Sequence, residues 1–159
     1  MLPKRRITRT RNGEIRLRLP HEERELLGGL PAQLRALLRE DPDDPALRRL
    51  FPPAYSEHPE NESEYRRLMG DELMERHLSA LAVLEETVGT DQLTPDQAHR
   101  WLAALNELRL VLGTRLDVSE DPIGDDVAAD PEDPEVAALG LYHYLSWLQE
   151  QLVEALSSS

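Results

Sequence analysis

The chain has 159 residues and a net charge of −13, with 31 acidic against 18 basic side chains. It contains no cysteine, which excludes disulfides, thiolate catalysis, CxxC redox chemistry and cysteine-type zinc sites. So acidic a surface repels phosphate, which argues against a body that wraps nucleic acid.

The opening 19 residues break this trend. Lys4, Arg5, Arg6, Arg9, Arg11, Arg16 and Arg18 face Glu14 alone there, and the rest of the chain holds 11 arginines against 30 acids. A basic module is joined to an acidic body. Residues 4–10 and 14–19 read as two strands around Arg11-Asn12-Gly13. A two-residue loop would scatter the apolar side chains over both faces. A three-residue loop sets Ile7 opposite Leu17, keeps Ile15 and Leu19 on the same face, and puts Gly13 where positive φ is needed. The other face then carries Arg6, Thr8, Thr10, Glu14, Arg16 and Arg18. Arg6 and Arg18 become neighbours, an unfavourable pair unless an acid meets it.

A helix over 20–40 follows, with Pro20 and two glutamates suited to its first turn. Its stripe is Leu26, Leu27, Leu30, Leu34, Leu37 and Leu38, and Gly28-Gly29 and Pro31 predict a kink or restart within it. Residues 41–60 are proline-rich, with one short helical turn at 45–50 and with Leu50, Phe51 and Tyr55 as apolar anchors. Asn61 and Glu64 have capping-box spacing at the head of a helix over 61–88. That helix has a stripe from Tyr65 through Leu73, His77, Leu81 and Leu84 to Val88. Thr94 as N-cap and Pro95 open a helix over 95–116 that buries Ala98, Trp101, Leu105 and Leu108. Residues 117–133 hold eight acids and no base, the composition of a solvated loop. The last helix, 134–156, repeats Leu141, Leu145, Leu148 and Leu152 beside Tyr144 and Trp147. Those two aromatics either finish a core or seal a homodimer, and periodicity leaves both open. The fold expected is mainly α: one domain, 1–159, an antiparallel bundle of about four long helices with an N-terminal β-hairpin.

Catalytic and cofactor signals are weak. Asp96-Gln-Ala-His99 is a single Glu-x-x-His-like spacing where a di-iron bundle needs two, so no metal site is predicted. The stretch from Asp117 has Pro122 and Ala128 where a calcium loop needs Gly and Glu. Gly28-Gly29 lacks the Gly-Lys of a phosphate loop, and no serine sits in a nucleophile elbow. A helix-turn-helix drawn across Gly89 has too long a connection and a face of mixed charge. The chain therefore reads as non-enzymatic, with no cofactor and no catalytic residue. No run of 18 uncharged apolar residues predicts a membrane span. The MLPKRR start lacks the apolar segment of a signal peptide, which predicts a cytoplasmic protein.

Two clusters stand out. Arg6, Arg16 and Arg18 form the expected partner-binding surface. Asn106, Arg109 and Gly113 share a helical face and form a structural polar cluster, in which Arg109 is expected to pair with a buried carboxylate such as Glu72, and Gly113 to admit a close neighbour.

Three segments carry a resemblance: Trp101 to Leu116, Leu50-Phe-Pro-Pro-Ala-Tyr55 and Tyr144-Leu-Ser-Trp-Leu-Gln149. The chain resembles an actinobacterial family of unknown function whose members are encoded beside the Clp protease adaptor and loosely described as transcriptional or oxidative-stress regulators. The resemblance implies a small regulator acting through RNA polymerase or a sigma factor. The alternatives are a DNA-binding regulator that uses the basic hairpin, and an adaptor in Clp-mediated proteolysis. The lack of cysteine departs from any thiol-sensing role.

Overall fold

A computed structural model describes residues 5–41, 43–47, 49–50, 59–116 and 134–157, with side chains omitted for 59–69, 115–116 and 134–135. Phe51, Tyr55 and the acidic stretch 117–133 lie outside the described residues.

The apolar pattern of the N-terminus sets its pairing. Strands β1 (Ile7–Arg9) and β2 (Ile15–Leu17) run antiparallel with Ile7 opposite Leu17, Thr8 opposite Arg16 and Arg9 opposite Ile15. The Gly13 N–H donates to the Thr10 carbonyl at 3.1 Å, and Gly13 sits at φ +85°, a conformation glycine adopts without a Cβ penalty. This is the three-residue loop that the hydrophobic pattern selects. A third strand, β3 (Gln92–Leu93), extends the sheet by pairing Ile15 with Leu93 and Arg16 with Gln92. Sheet order is β1-β2-β3, so β2 is central. Ile7, Ile15, Leu17 and Leu93 are all buried on one face.

Four helices follow in the chain, of which α3 and α4 meet the sheet: α1 (His21–Glu40), α2 (Pro59–Thr87), α3 (Pro95–Leu116) and α4 (Pro134–Ser157). A one-turn 3₁₀ helix at Pro45–Leu47 is opened by Asp44, whose Oδ1 accepts the Ala46 N–H at 2.7 Å. Helix α3 packs against both α2 and α4, α1 lies on α2, and β1 rests on α4. Trp101 is fully buried in α3, and its indole N–H donates to Thr87 Oγ1 at 2.6 Å. The partner matters because an unpaired buried N–H costs about 1–3 kcal/mol. Leu145, Leu148 and Leu152 of α4 are also fully buried.

Three local expectations change. Helix α1 runs unbroken through Gly28, Gly29 and Pro31. An interior proline costs about 3 kcal/mol. Burial of Leu27, Leu30, Pro31, Leu34 and Leu38 opposes that cost, and tertiary packing overrides local propensity here. Leu26, expected in the stripe, is instead exposed. Helix α2 begins at Pro59, so Asn61 lies inside it rather than at its N-cap. The start of α3 follows its sequence signal in full. Thr94 Oγ1 accepts the Gln97 N–H at 3.1 Å, and Gln97 Oε1 accepts the Thr94 N–H at 3.0 Å, a reciprocal capping box.

A glutamine secures β1 to α4. Gln151 is buried, and its Oε1 accepts the N–H groups of Arg6 at 2.7 Å and Ile7 at 3.1 Å. One side-chain oxygen thus satisfies two backbone donors at the strand's outer edge. Gln151→Leu should lower the unfolding free energy by about 2 kcal/mol, measured by urea denaturation, because both donors lose their acceptor.

Candidate functional site

The ribbon's arginines divide into two kinds. Arg6 turns inward. Its guanidinium meets Glu23 of α1 through Nε at 3.1 Å and Nη2 at 2.9 Å, and its carbon Cζ lies 5.5 Å from the Trp147 ring centroid. Tyr144 donates its hydroxyl to the same Glu23 carboxylate at 2.5 Å. The Arg6 side chain is 17% exposed and that of Glu23 21%. Arg6, expected on the outward surface, is thus committed to the protein's own scaffold, and Glu23 is the acid that relieves its crowding with Arg18. Arg16 and Arg18 differ, because both are exposed. Thr8, Arg16 and Gln92 stand side by side across the three strands on the face away from the core.

Burial by itself would push the Glu23 carboxyl up, but hydrogen bonds from Arg6 and Tyr144 outweigh it and hold the carboxyl below its ordinary value. The hydrogen bond to Glu23 raises Arg6, against the pull of burial. Burial, then the adjacent carboxylate, drives the Tyr144 phenol far above its usual range, so it stays a proton donor. Tyr144 and Trp147 also touch, with ring centroids 6.1 Å apart. The two aromatics of α4 therefore lie at the seam between ribbon and helices.

Arg24 of α1 fastens the other side of the ribbon. Its Nε donates to the Leu19 carbonyl at 2.8 Å, and Nη1 donates to the carbonyls of Val88 at 3.0 Å and Thr90 at 2.7 Å. Its Nη2 reaches Asp91 at 3.2 Å. Asp91 in turn gives its carbonyl to the Leu17 N–H at 2.8 Å. Neither Arg24 nor Gln151 stood out in the sequence, since their partners are remote and no motif marks them.

The polar cluster on α3 forms in part. Arg109 Nη2 donates to Asn106 Oδ1 at 3.2 Å, while the buried Nε of Arg109 has no partner among the described residues. Gly113 is buried, and a Cβ there would lie 3.1 Å from Tyr142 Cε2 of α4, so the glycine does admit a close neighbour. The expected pairing with Glu72 does not occur: Glu72 is exposed. The buried acid is Glu107, two residues before Arg109, and it pairs with His77 of α2. His77 was expected on the apolar stripe of α2, and the carboxylate opposite it lay beyond what helical spacing reveals.

That pair is well defined. His77 Nδ1 lies 2.7 Å from Glu107 Oε1, and Nε2 lies 3.0 Å from the Leu50 carbonyl. A carbonyl only accepts, so Nε2 carries a hydrogen. One further proton must then sit between Nδ1 and Oε1, since otherwise two lone pairs would face each other. Burial opposes charge on His77, but the hydrogen bond and charge of Glu107 raise its pKa overall. Burial raises Glu107 despite the imidazole. Both directions mean that the folded pair holds its shared proton to higher pH than the unfolded chain does.

Stability from a raised group is complete below the unfolded value, about 6.5 for histidine, and fades as pH climbs through the folded one. The melting temperature should therefore fall as pH rises above about 6.5 and through the raised folded value of His77. Glu107→Gln should flatten that fall, as scanning calorimetry at several pH values would show. Removing one partner of a buried pair costs about 3–5 kcal/mol, so the variant should also melt lower throughout.

Comparison with known proteins adds an identity to this geometry. A Mycobacterium leprae (strain TN) protein named "Putative oxidative stress regulator AosR" is 31% identical over 157 residues, covering 88% of this chain and 69% of its own length. Proteins named "Oxidative stress regulator AosR" from Mycobacterium bovis and Mycobacterium tuberculosis are 32% identical over 135 residues, covering 74% of this chain. The chain spans 61% of the length of those two. No solved structure matches it. The family model described as "Domain of unknown function (DUF2017)" matches residues 4–156, and the chain belongs to that family.

Proposed function

We propose that this chain is a non-enzymatic cytoplasmic regulator of transcription that works by protein–protein contact. The outer face of its ribbon docks on an acidic surface of RNA polymerase or of a sigma factor. The observation that carries this reading is the separation of the arginines. Arg6 is consumed by Glu23, whereas Arg16 and Arg18 remain exposed on the sheet face that the core does not use. Arg16 in β2 and Arg18 just after it are two exposed guanidiniums two residues apart, and arginine pairs with carboxylates through two parallel hydrogen bonds. The names of the mycobacterial relatives support a regulatory role. The chain has no thiol of its own, so control by oxidation of a cysteine is not available to it.

Contact with protein fits better than contact with DNA. A ribbon in the major groove would bring an acidic body close to phosphate, and the chain's net charge is −13. Among the described residues no helix is long and apolar enough to cross a membrane.

The test is a pull-down of RNA polymerase with the intact chain and with an Arg16→Glu, Arg18→Glu variant. The variant should lose the polymerase or sigma factor while its helical circular-dichroism spectrum stays the same. Retained capture would overturn the ribbon as docking surface. A salt-dependent gel shift with DNA, abolished by the same substitutions, would replace protein contact with DNA contact.

A further inference from the structure

A groove of about 380 Å³ opens between α2, α3 and the segment at Arg49 and Leu50, away from the ribbon. Its floor is apolar, with Leu50, Leu73 and Leu110 among the lining side chains. Three arginines line it: Arg49, Arg76 and Arg100. All three are exposed, and Arg100 leans on the Ser79 hydroxyl at 3.1 Å. Among the described residues no carboxylate forms an ion pair with any of them. In a chain with 31 acids, three guanidiniums around one groove with no ion-pair partner among the described residues are a concentration of positive charge.

The buried wall of the groove carries the second observation. Glu107 lines it and is 5% exposed; its Oε1 is taken by His77, and its buried Oε2 has no hydrogen-bond partner among the described residues. A buried acceptor left open costs about 1–3 kcal/mol or more, so its persistence beside a groove calls for a donor from outside. The site thus offers a cluster of positive charge at exposed positions, an apolar floor, and one acceptor at its buried wall. Volumes of about 300–1,000 Å³ suit small ligands.

We propose that this groove binds a nucleoside monophosphate: a doubly charged phosphate meets Arg49, Arg76 and Arg100, and an N–H of the flat base donates to Glu107 Oε2. A phosphate dianion matches several guanidiniums better than a singly charged carboxylate does, because each planar fork takes two oxygens. The base supplies both an apolar face for the leucine floor and an edge N–H. This site is separate from the ribbon, and its test does not depend on what the ribbon contacts.

Titration calorimetry of the full chain with AMP and with GMP tests the idea, with ribose 5-phosphate as the probe that lacks a base. One saturable site for either nucleotide is expected, with ribose 5-phosphate weaker. Arg76→Gln with Arg100→Gln should weaken the nucleotide about tenfold or more. Both side chains are exposed, so the variant should keep its melting temperature. Glu107→Leu, which offers no acceptor, should weaken the nucleotide and leave ribose 5-phosphate unchanged. No saturable heat from either nucleotide at millimolar concentration would overturn the site. So would an affinity indifferent to the two arginine substitutions, and equal binding of ribose 5-phosphate would overturn the role of Glu107.

Discussion

A ribbon of two three-residue strands does not hold its shape in water, because it buries too little on its own. Here its position depends on polar groups from helices remote in sequence. Gln151 satisfies two backbone donors of the first strand, and Glu23 receives Arg6 and Tyr144 together. Arg24 binds the chain leaving the second strand to the turn that leads into the third. The apolar face of Ile7, Ile15, Leu17 and Leu93 supplies the driving force, and the polar contacts select one placement among many that would bury it equally well.

Two partly or wholly buried glutamates show how burial and partner number decide the state of a carboxyl. Glu23 meets the guanidinium of Arg6 and the hydroxyl of Tyr144, and its pKa falls although burial opposes this. Glu107 meets one imidazole and keeps one oxygen unpaired, and its pKa rises. The same side chain is thus an anchor for positive charge in one place and a proton-retaining group in the other. Deeper burial and a smaller supply of hydrogen bonds together separate Glu107 from Glu23.

Much of the fold was legible in the sequence, for identifiable reasons. The register of the ribbon followed from the demand that apolar residues share one face, with Gly13 at the one loop position that needs positive φ. The opening of α3 followed from Thr94 and Pro95, whose roles are local, whereas the reciprocal bond from Gln97 was not read from the sequence. Local signals failed where tertiary packing competes with them. Gly28, Gly29 and Pro31 read as a kink or a restart, and the restart does not occur, because the buried leucine face of α1 carries one helix through. The third strand is two residues long, too short to show alternation. Among the site residues, spacing placed Arg16 and Arg18 together but could not show that Arg6 would be withdrawn. The acid that withdraws it lies 17 residues away, on α1. Helical periodicity likewise put Asn106, Arg109 and Gly113 on one face. It did not reveal that the acid held in the core would be Glu107, because that depends on what α2 presents opposite.

The two margins of the small sheet are closed by different means. The first strand's outer margin is occupied at its start by the Gln151 amide oxygen. The third strand ends after Leu93, and Pro95 soon follows, which lacks a backbone N–H. Neither margin offers a ladder long enough to recruit a foreign strand, so the sheet resists growth by β-augmentation and the edge-to-edge association that exposed margins invite. The exposed side chains of this end, not its backbone, are what the sheet presents to solvent.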